Sequence, residues 1–170
     1  RGDLQALDLD NLANQLKNGD VFFEGNPFVG RALQTNPHLE DIEKLSIFMA
    51  PLSREEILFF KHPDQSANLN HLVTDIMRRK LLRRTRRQKF ELSIHDLENI
   101  EKRASSAFTE LQDARYFDFI LPNHDGEDSE NWDAFYYPVG DARKTMLAFI
   151  ALIRGEKTAL AEQWESDLLS

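Results

Sequence analysis

The chain predicts an α/β fold with a parallel sheet, and three observations carry that expectation. Segments with helical periodicity alternate with short apolar runs along most of its 170 residues. One run, Tyr116-Phe117-Asp118-Phe119-Ile120-Leu121, is apolar almost without a break, as strands buried on both faces of a parallel sheet are. Two helix starts are spelled out by a serine followed three residues later by an acid, Ser53 with Glu56 and Ser93 with Asp96.

Taken in order, residues 7–17 carry apolar side chains at 9, 12, 13 and 16 with Asn18-Gly19 beyond, the pattern of an amphipathic helix with a glycine stop. Val21-Phe22-Phe23 predicts a short strand, Gly25 to Gly30 a turn, and His38 to Lys44 a short helix. Leu45 to Ala50 is an apolar strand closed by Pro51. The Ser53 cap opens a helix through Phe60, and Pro63 to Asn68 breaks it. From Leu69 the stripe Leu72, Val73, Ile76, Met77 and Leu81 runs at helical spacing. The helix capped by Ser93 turns Leu97, Ile100, Ala104, Ala107, Phe108 and Leu111 inward. An acidic, polar loop follows from His124 to Asp133, then Tyr136-Tyr137-Pro138, a helix near Asp141 to Ile153, and a loosely attached terminal helix over 156–169. No internal repeat is evident. Phe22, Phe23, Phe48, Phe59, Phe60, Phe108, Phe117, Phe119 and Phe149 are expected in the core.

Composition narrows the chemistry. No cysteine is present, which excludes disulfides, thiolate zinc sites and cysteine nucleophiles and makes a cytoplasmic setting the default expectation. No apolar run approaches the ~20 residues that span a bilayer, so no membrane role is expected. The five histidines show no metal-ligand spacing, and no metal site is expected. The acidic loop 125–133 has its glycine misplaced for a calcium loop; an internal role, facing basic groups, suits it better. Arg1-Gly2-Asp3 lacks both an initiator Met and a signal-peptide pattern, which suggests a chain cut from a longer one.

Residues 78–89 hold eight of the 21 basic residues and no acid, in a chain of net charge -8. Arginine outnumbers lysine six to two there, and its planar fork suits bidentate recognition of phosphate or carboxylate. A phosphate-bearing partner is therefore expected. A solvated helix face is the plainer alternative. The remaining 13 basic residues are set against 29 acidic ones, so general attraction to nucleic acid is disfavoured.

The strand ending in Pro51, the helix after Ser53-Arg54-Glu55-Glu56-Ile57, the arginine-rich stretch, the helix with Ile100-Glu101-Lys102-Arg103, and Tyr116-Phe117-Asp118-Phe119-Ile120-Leu121-Pro122-Asn123 together resemble the C-terminal half of guanylate kinases. The likeness covers about residues 45–124, interrupted by an extra segment near 58–75. It implies a three-layer, P-loop NTPase-like fold over 1–155 with an arginine lid near 76–92, and a helical extension over 156–170. The central P-loop strand is absent: no Gly-x-x-x-x-Gly-Lys-(Ser/Thr) occurs, and the nearest string, Gly25 to Ala32, has Arg31 and Ala32 where lysine and hydroxyl belong. The Ser-x-x-Thr-Arg-x-x-Arg substrate motif is missing too, unless Arg1-Gly2-Asp3 is its tail.

The resemblance implies catalytic roles for Arg84 and Arg103, phosphate binding by Lys80, Arg83 and Arg87, and nucleotide contacts by Glu24, Phe28 and Asn123. Arg103 is equally readable as a surface partner of Glu98 or Asp96, and Glu24 as a solvated strand end. The implied activity is ATP- and Mg²⁺-dependent phosphoryl transfer to a nucleotide or related small phosphate acceptor, provided the parent protein supplies a P-loop. The alternative is a catalytically silent guanylate-kinase-like module that binds a peptide or phosphopeptide.

Overall fold

The computed structural model describes residues 6–65, 68–126 and 129–170. They fall into two compact units, divided between Lys44 and Leu45.

The first unit is helical. Helix α1 (Leu9–Leu16) begins where the Asp8 carboxylate accepts the Asn11 N–H, and α2 (Pro27–Gln34) where the Asn26 side chain accepts the Phe28 N–H ahead of a first-turn proline. The expected strand at Val21 to Phe23 does not form. Among its described residues this unit offers no strand for it to pair with, and Phe22 stands 73% exposed. The expected helix at 38–44 is only a 3₁₀ turn, Pro37–Leu39. The Leu39 carbonyl, which a longer helix would offer to Glu43, instead accepts the Lys44 ammonium.

The second unit is built on two strands, β1 (Ile47–Ala50) and β2 (Phe119–Pro122), paired in parallel with Ile47 opposite Phe119 and Ala50 opposite Pro122. They bond directly to each other, with no strand between them. β2 starts three residues later than its apolar run suggests. Asp118 is occupied before it, its carboxylate accepting both the N–H (2.8 Å) and the hydroxyl (2.6 Å) of Ser46.

Between the strands lie α3 (Arg54–Lys61), α4 (Leu69–Gln88) and α5 (Ile94–Gln112). Both serine capping boxes are present: Ser53 N–H donates to Glu56 at 2.7 Å and Ser93 N–H to Asp96 at 3.0 Å. Phe48, Ala50 and Ile120 point to one face of the sheet, where Ile57 of α3, Val73 of α4 and Ala107 and Leu111 of α5 cover them. The other face, with Ile47, Phe119 and Leu121, receives Ala148, Phe149 and Leu152 of α6 (Gly140–Ile153). Alternation along each strand thus feeds two cores on opposite sides. Several expected core rings lie outside them: Phe23 is 40% exposed and Phe59 57%.

The terminal helix expected over 156–169 is not formed. The segment runs instead along the outer edge of β2, where Ile120 and Glu162 exchange backbone bonds of 2.9 and 2.8 Å. An unpaired edge strand exposes bonding groups, and this tail satisfies them. The Glu162 carboxylate accepts the Arg54 N–H (2.9 Å) and the Trp164 indole N–H (2.8 Å), and Trp164 and Leu168 are buried in the larger core. Lys61, at the end of α3, donates to the Leu168 carbonyl at 2.9 Å. A helix would give up the edge pairing and the core contacts together. Replacing Trp164 by Ala should therefore cost about 3–5 kcal/mol, as for buried aromatic truncations generally, read as a lowered urea midpoint; a loss under 1 kcal/mol would mean the tail is not part of the core.

Candidate functional site

In open parallel sheets, ligands bind beyond the carboxyl ends of the strands. Here those ends are Ala50 and Pro122, and the segments leaving them carry Ser53, Asn123, His124 and Asp125. Lys80, from the middle of α4, places its ammonium 2.7 Å from the Asn123 carbonyl. That contact brings two of the expected residues together and points one face of α4 at the strand ends.

The arginine-rich stretch lies inside α4 and divides by flank. Arg78 forks onto Glu101 of α5 with two 2.8 Å bonds and also meets Asp75. Hydrogen bonding to Glu101 raises its pKa above the ordinary guanidinium value and lowers that of Glu101. Lys89 pairs with Asp96, whose carboxyl is held far below the usual range by Lys89 and then Ser93. Acids missing from the stretch itself are thus supplied to Arg78 and Lys89 by neighbouring residues. With Leu81, Ile100 and Ala104 buried between the helices, about 100° per residue puts Arg78 and Glu101 on one flank of the pair. The same rotation puts Lys80, Arg84 and Arg103 on the opposite flank.

Lys80, Arg83, Arg84 and Arg87 follow the i, i+3, i+4, i+7 spacing and share one face. Arg84 is half-buried, while Arg83, Arg87 and Arg103 are exposed. All five basic groups also take part in interactions within the chain. Asp96 accepts bonds from Lys89 and Ser93. Glu24 and Phe28 belong to the first unit: Glu24 is exposed, and Phe28 is 63% exposed in the first turn of α2, with the Arg31 guanidinium 6.0 Å from its ring centroid. The string Gly25 to Ala32 is helical from Pro27 onward, so its amides are bonded within α2 instead of facing a phosphate.

No family model, curated protein or solved structure matches the chain.

A second cluster at the strand ends has no counterpart in the sequence reading. His124 Nε2 lies 2.8 Å from Glu56 Oε2, and its Nδ1 lies 3.7 Å from Asp141 Oδ2 at the start of α6. A carboxylate only accepts, so Nε2 carries the proton. Partial burial opposes charge on Glu56, but the Ser53 N–H, His124 and the Ser53 hydroxyl outweigh it and hold its pKa below the ordinary value. Asp125 behaves alike: burial raises its pKa, and Asn131 (2.9 Å), the Ala142 N–H (2.6 Å), Ser129 (3.0 Å) and the nearby charge of Lys80 bring it lower on balance. The carboxylate of Asp125 thus caps α6 and folds the following loop, which places part of the acidic loop near a cation of α4. Glu127 and Asp128 of that loop lie outside the described residues, as do Arg1 to Gln5.

The signal for this cluster was positional. His124 and Asp125 follow a buried strand directly, and Glu56 is the third residue of a capped helix; only the parallel pairing of strands 72 residues apart, as between Ser46 and Asp118, joins them. Among the described residues no group of three His, Asp or Glu is placed to hold a metal ion, and no helix is long and apolar enough to cross a membrane.

The pH response follows from these carboxylates. Glu56, Asp125 and Glu165 all have lowered pKa values, Glu165 to about 2 through Arg54, which forks onto it at 2.9 and 2.6 Å. In acid the unfolded chain takes up protons first, so their stabilisation is complete above the unfolded carboxylate range near pH ~4 and is lost as pH falls through the folded values. Urea midpoints should hold between pH 7 and 5 and then fall steadily toward pH 2; a midpoint independent of pH below 4.5 would contradict these assignments.

Proposed function

We propose that the chain is a guanylate-kinase-like, three-layer α/β nucleotide-binding domain whose α4 face grips phosphate groups delivered to the carboxyl ends of the parallel strands. The observation that carries this is the Lys80 contact with the Asn123 carbonyl, which aims Lys80 at the strand ends, with Arg84 and Arg103 on the same flank of the helix pair. Helices on both faces of the sheet and a crossover through the arginine-bearing helix pair support the same reading. So does the disposal of Arg78 on the opposite flank, where acids neutralise it.

On this reading the nucleotide's phosphates replace intramolecular partners of Lys80, Arg83, Arg84, Arg87 and Arg103. Arg84 and Arg103 neutralise charge that develops during transfer, and Asn123 sits beside the base. ATP fits this cationic face by charge. Mg²⁺ finds no ready ligand cluster among the described residues, and no step is derived through it. Phosphoryl transfer to a nucleotide or related small phosphate acceptor needs a phosphate loop from the parent protein. The helical state of Pro27 to Ala32 favours the second reading, a silent module of the same fold that takes a phosphorylated peptide on the same cations.

Arg84→Ala and Arg103→Ala should each weaken ATP or GMP binding by several-fold or more, since a charge-assisted hydrogen bond contributes roughly 1.5–3 kcal/mol. Arg78→Ala should leave affinity unchanged and lower the melting temperature. Calorimetry on the three variants decides it: unchanged affinity in both Arg84→Ala and Arg103→Ala removes the reading. Phosphorylation-dependent capture of a peptide without nucleotide binding selects the silent module.

A further inference from the structure

Three consecutive aromatic side chains stand in water just ahead of α6: Phe135 is 69% exposed, Tyr136 fully so, and Tyr137 55%. Aromatic rings of this size are normally drawn into a core or an interface, and these are held out by a loop fastened at both ends. Asn131 donates to Asp125 at 2.9 Å and accepts the Val139 N–H at 2.8 Å, and Asp125 accepts the Ala142 N–H at 2.6 Å. Gly140, with φ of +59°, closes the loop; a Cβ there would lie 3.1 Å from the Asn131 amide. The Arg143 guanidinium lies 4.9 Å from the Tyr137 ring centroid and steadies that ring.

We infer that Phe135 and Tyr137 form a clamp for the base of the nucleotide whose phosphates the α4 face holds, an inference that rests on the function proposed above. The two rings are near parallel, 24° apart, with centroids separated by 6.5 Å. Bases in a duplex stack at about 3.4 Å, so a base held between two rings asks for about 7 Å between them, and the two ring centroids are already set at a comparable separation. The loop needs little ordering to receive it, which favours affinity.

Continuity with the phosphate site comes through Asp125. The same carboxylate that ties down both ends of the aromatic loop feels the charge of Lys80. A flat aromatic ring attached to an anionic chain satisfies the rings and the cations at once. An anionic lipid surface or a nucleic-acid strand suits the loop less well, because exposed Glu130 and Asp133 flank it in a chain already at net charge -8.

The test compares ATP with inorganic triphosphate by calorimetry on the full chain. Wild type should bind ATP more tightly than triphosphate. Phe135→Ala and Tyr137→Ala should each lower ATP affinity by roughly tenfold, within the range of single base-stacking contacts, and leave triphosphate affinity unchanged. Tyr137→Trp should keep ATP binding. If Arg84→Ala loses both ligands while neither aromatic variant loses ATP, the clamp is overturned and the phosphate grip stands. If wild type binds ATP and triphosphate equally, the clamp is likewise overturned. If it binds neither, both proposals fall. Unchanged far-ultraviolet dichroism in the alanine variants separates loss of stacking from loss of fold.

Discussion

Which side of α4 faces the strand ends is a question of rotation about one helix axis, and the apolar stripe of α4 fixes that rotation. Leu69, Leu72, Val73, Ile76 and Met77 pack in the larger core, and Leu81 and Leu82 against Ile100 and Ala104, so one side of the helix is committed inward. The two parallel bonds to Glu101 then tie one flank of α4 to α5. Surface ion pairs contribute little to stability in general. This one lies on the flank away from Lys80, Arg84 and Arg103, so it supports the helix pair without touching the cationic face.

The strand ends then collect what α4 presents. Glu56 belongs to the cap of α3, Asp141 to the first turn of α6, and His124 to the exit of β2, so one imidazole touches three elements that chain order keeps far apart. Asp125 does comparable work on the other side of His124. Two neighbouring residues at the end of one strand thereby hold the starts of the helices on both faces of the sheet.

Local chemistry was legible in the sequence. Ser53 with Glu56 and Ser93 with Asp96 marked α3 and α5 because a capping box satisfies its own backbone within four residues. The inner stripe of α5 follows the expected spacing at Ile100, Ala104, Ala107 and Leu111. Where partners are distant, the reading failed. Val21 to Phe23 has the residues of a strand and, among the described residues, no strand beside it. Residues 156–169 have the composition of a helix, but the bare edge at Ile120 and the core space taken by Trp164 and Leu168 outweigh that local preference. Of the candidate site, the basic face was legible because it lies on one helix. The His124 cluster was not, because it assembles from three separate elements.

The tail's place at the edge of β2 has a consequence for how the protein is made. Residues 162–168 complete both the edge of the sheet and its larger core, so a nascent chain that has emerged only as far as α6 still exposes an open edge and an unfilled apolar hollow. Long-range closure of this kind slows folding and leaves intermediates prone to stick. Completion of the second unit therefore waits on residues 162–168, and a chaperone would meet it before then as two strands seeking a lid.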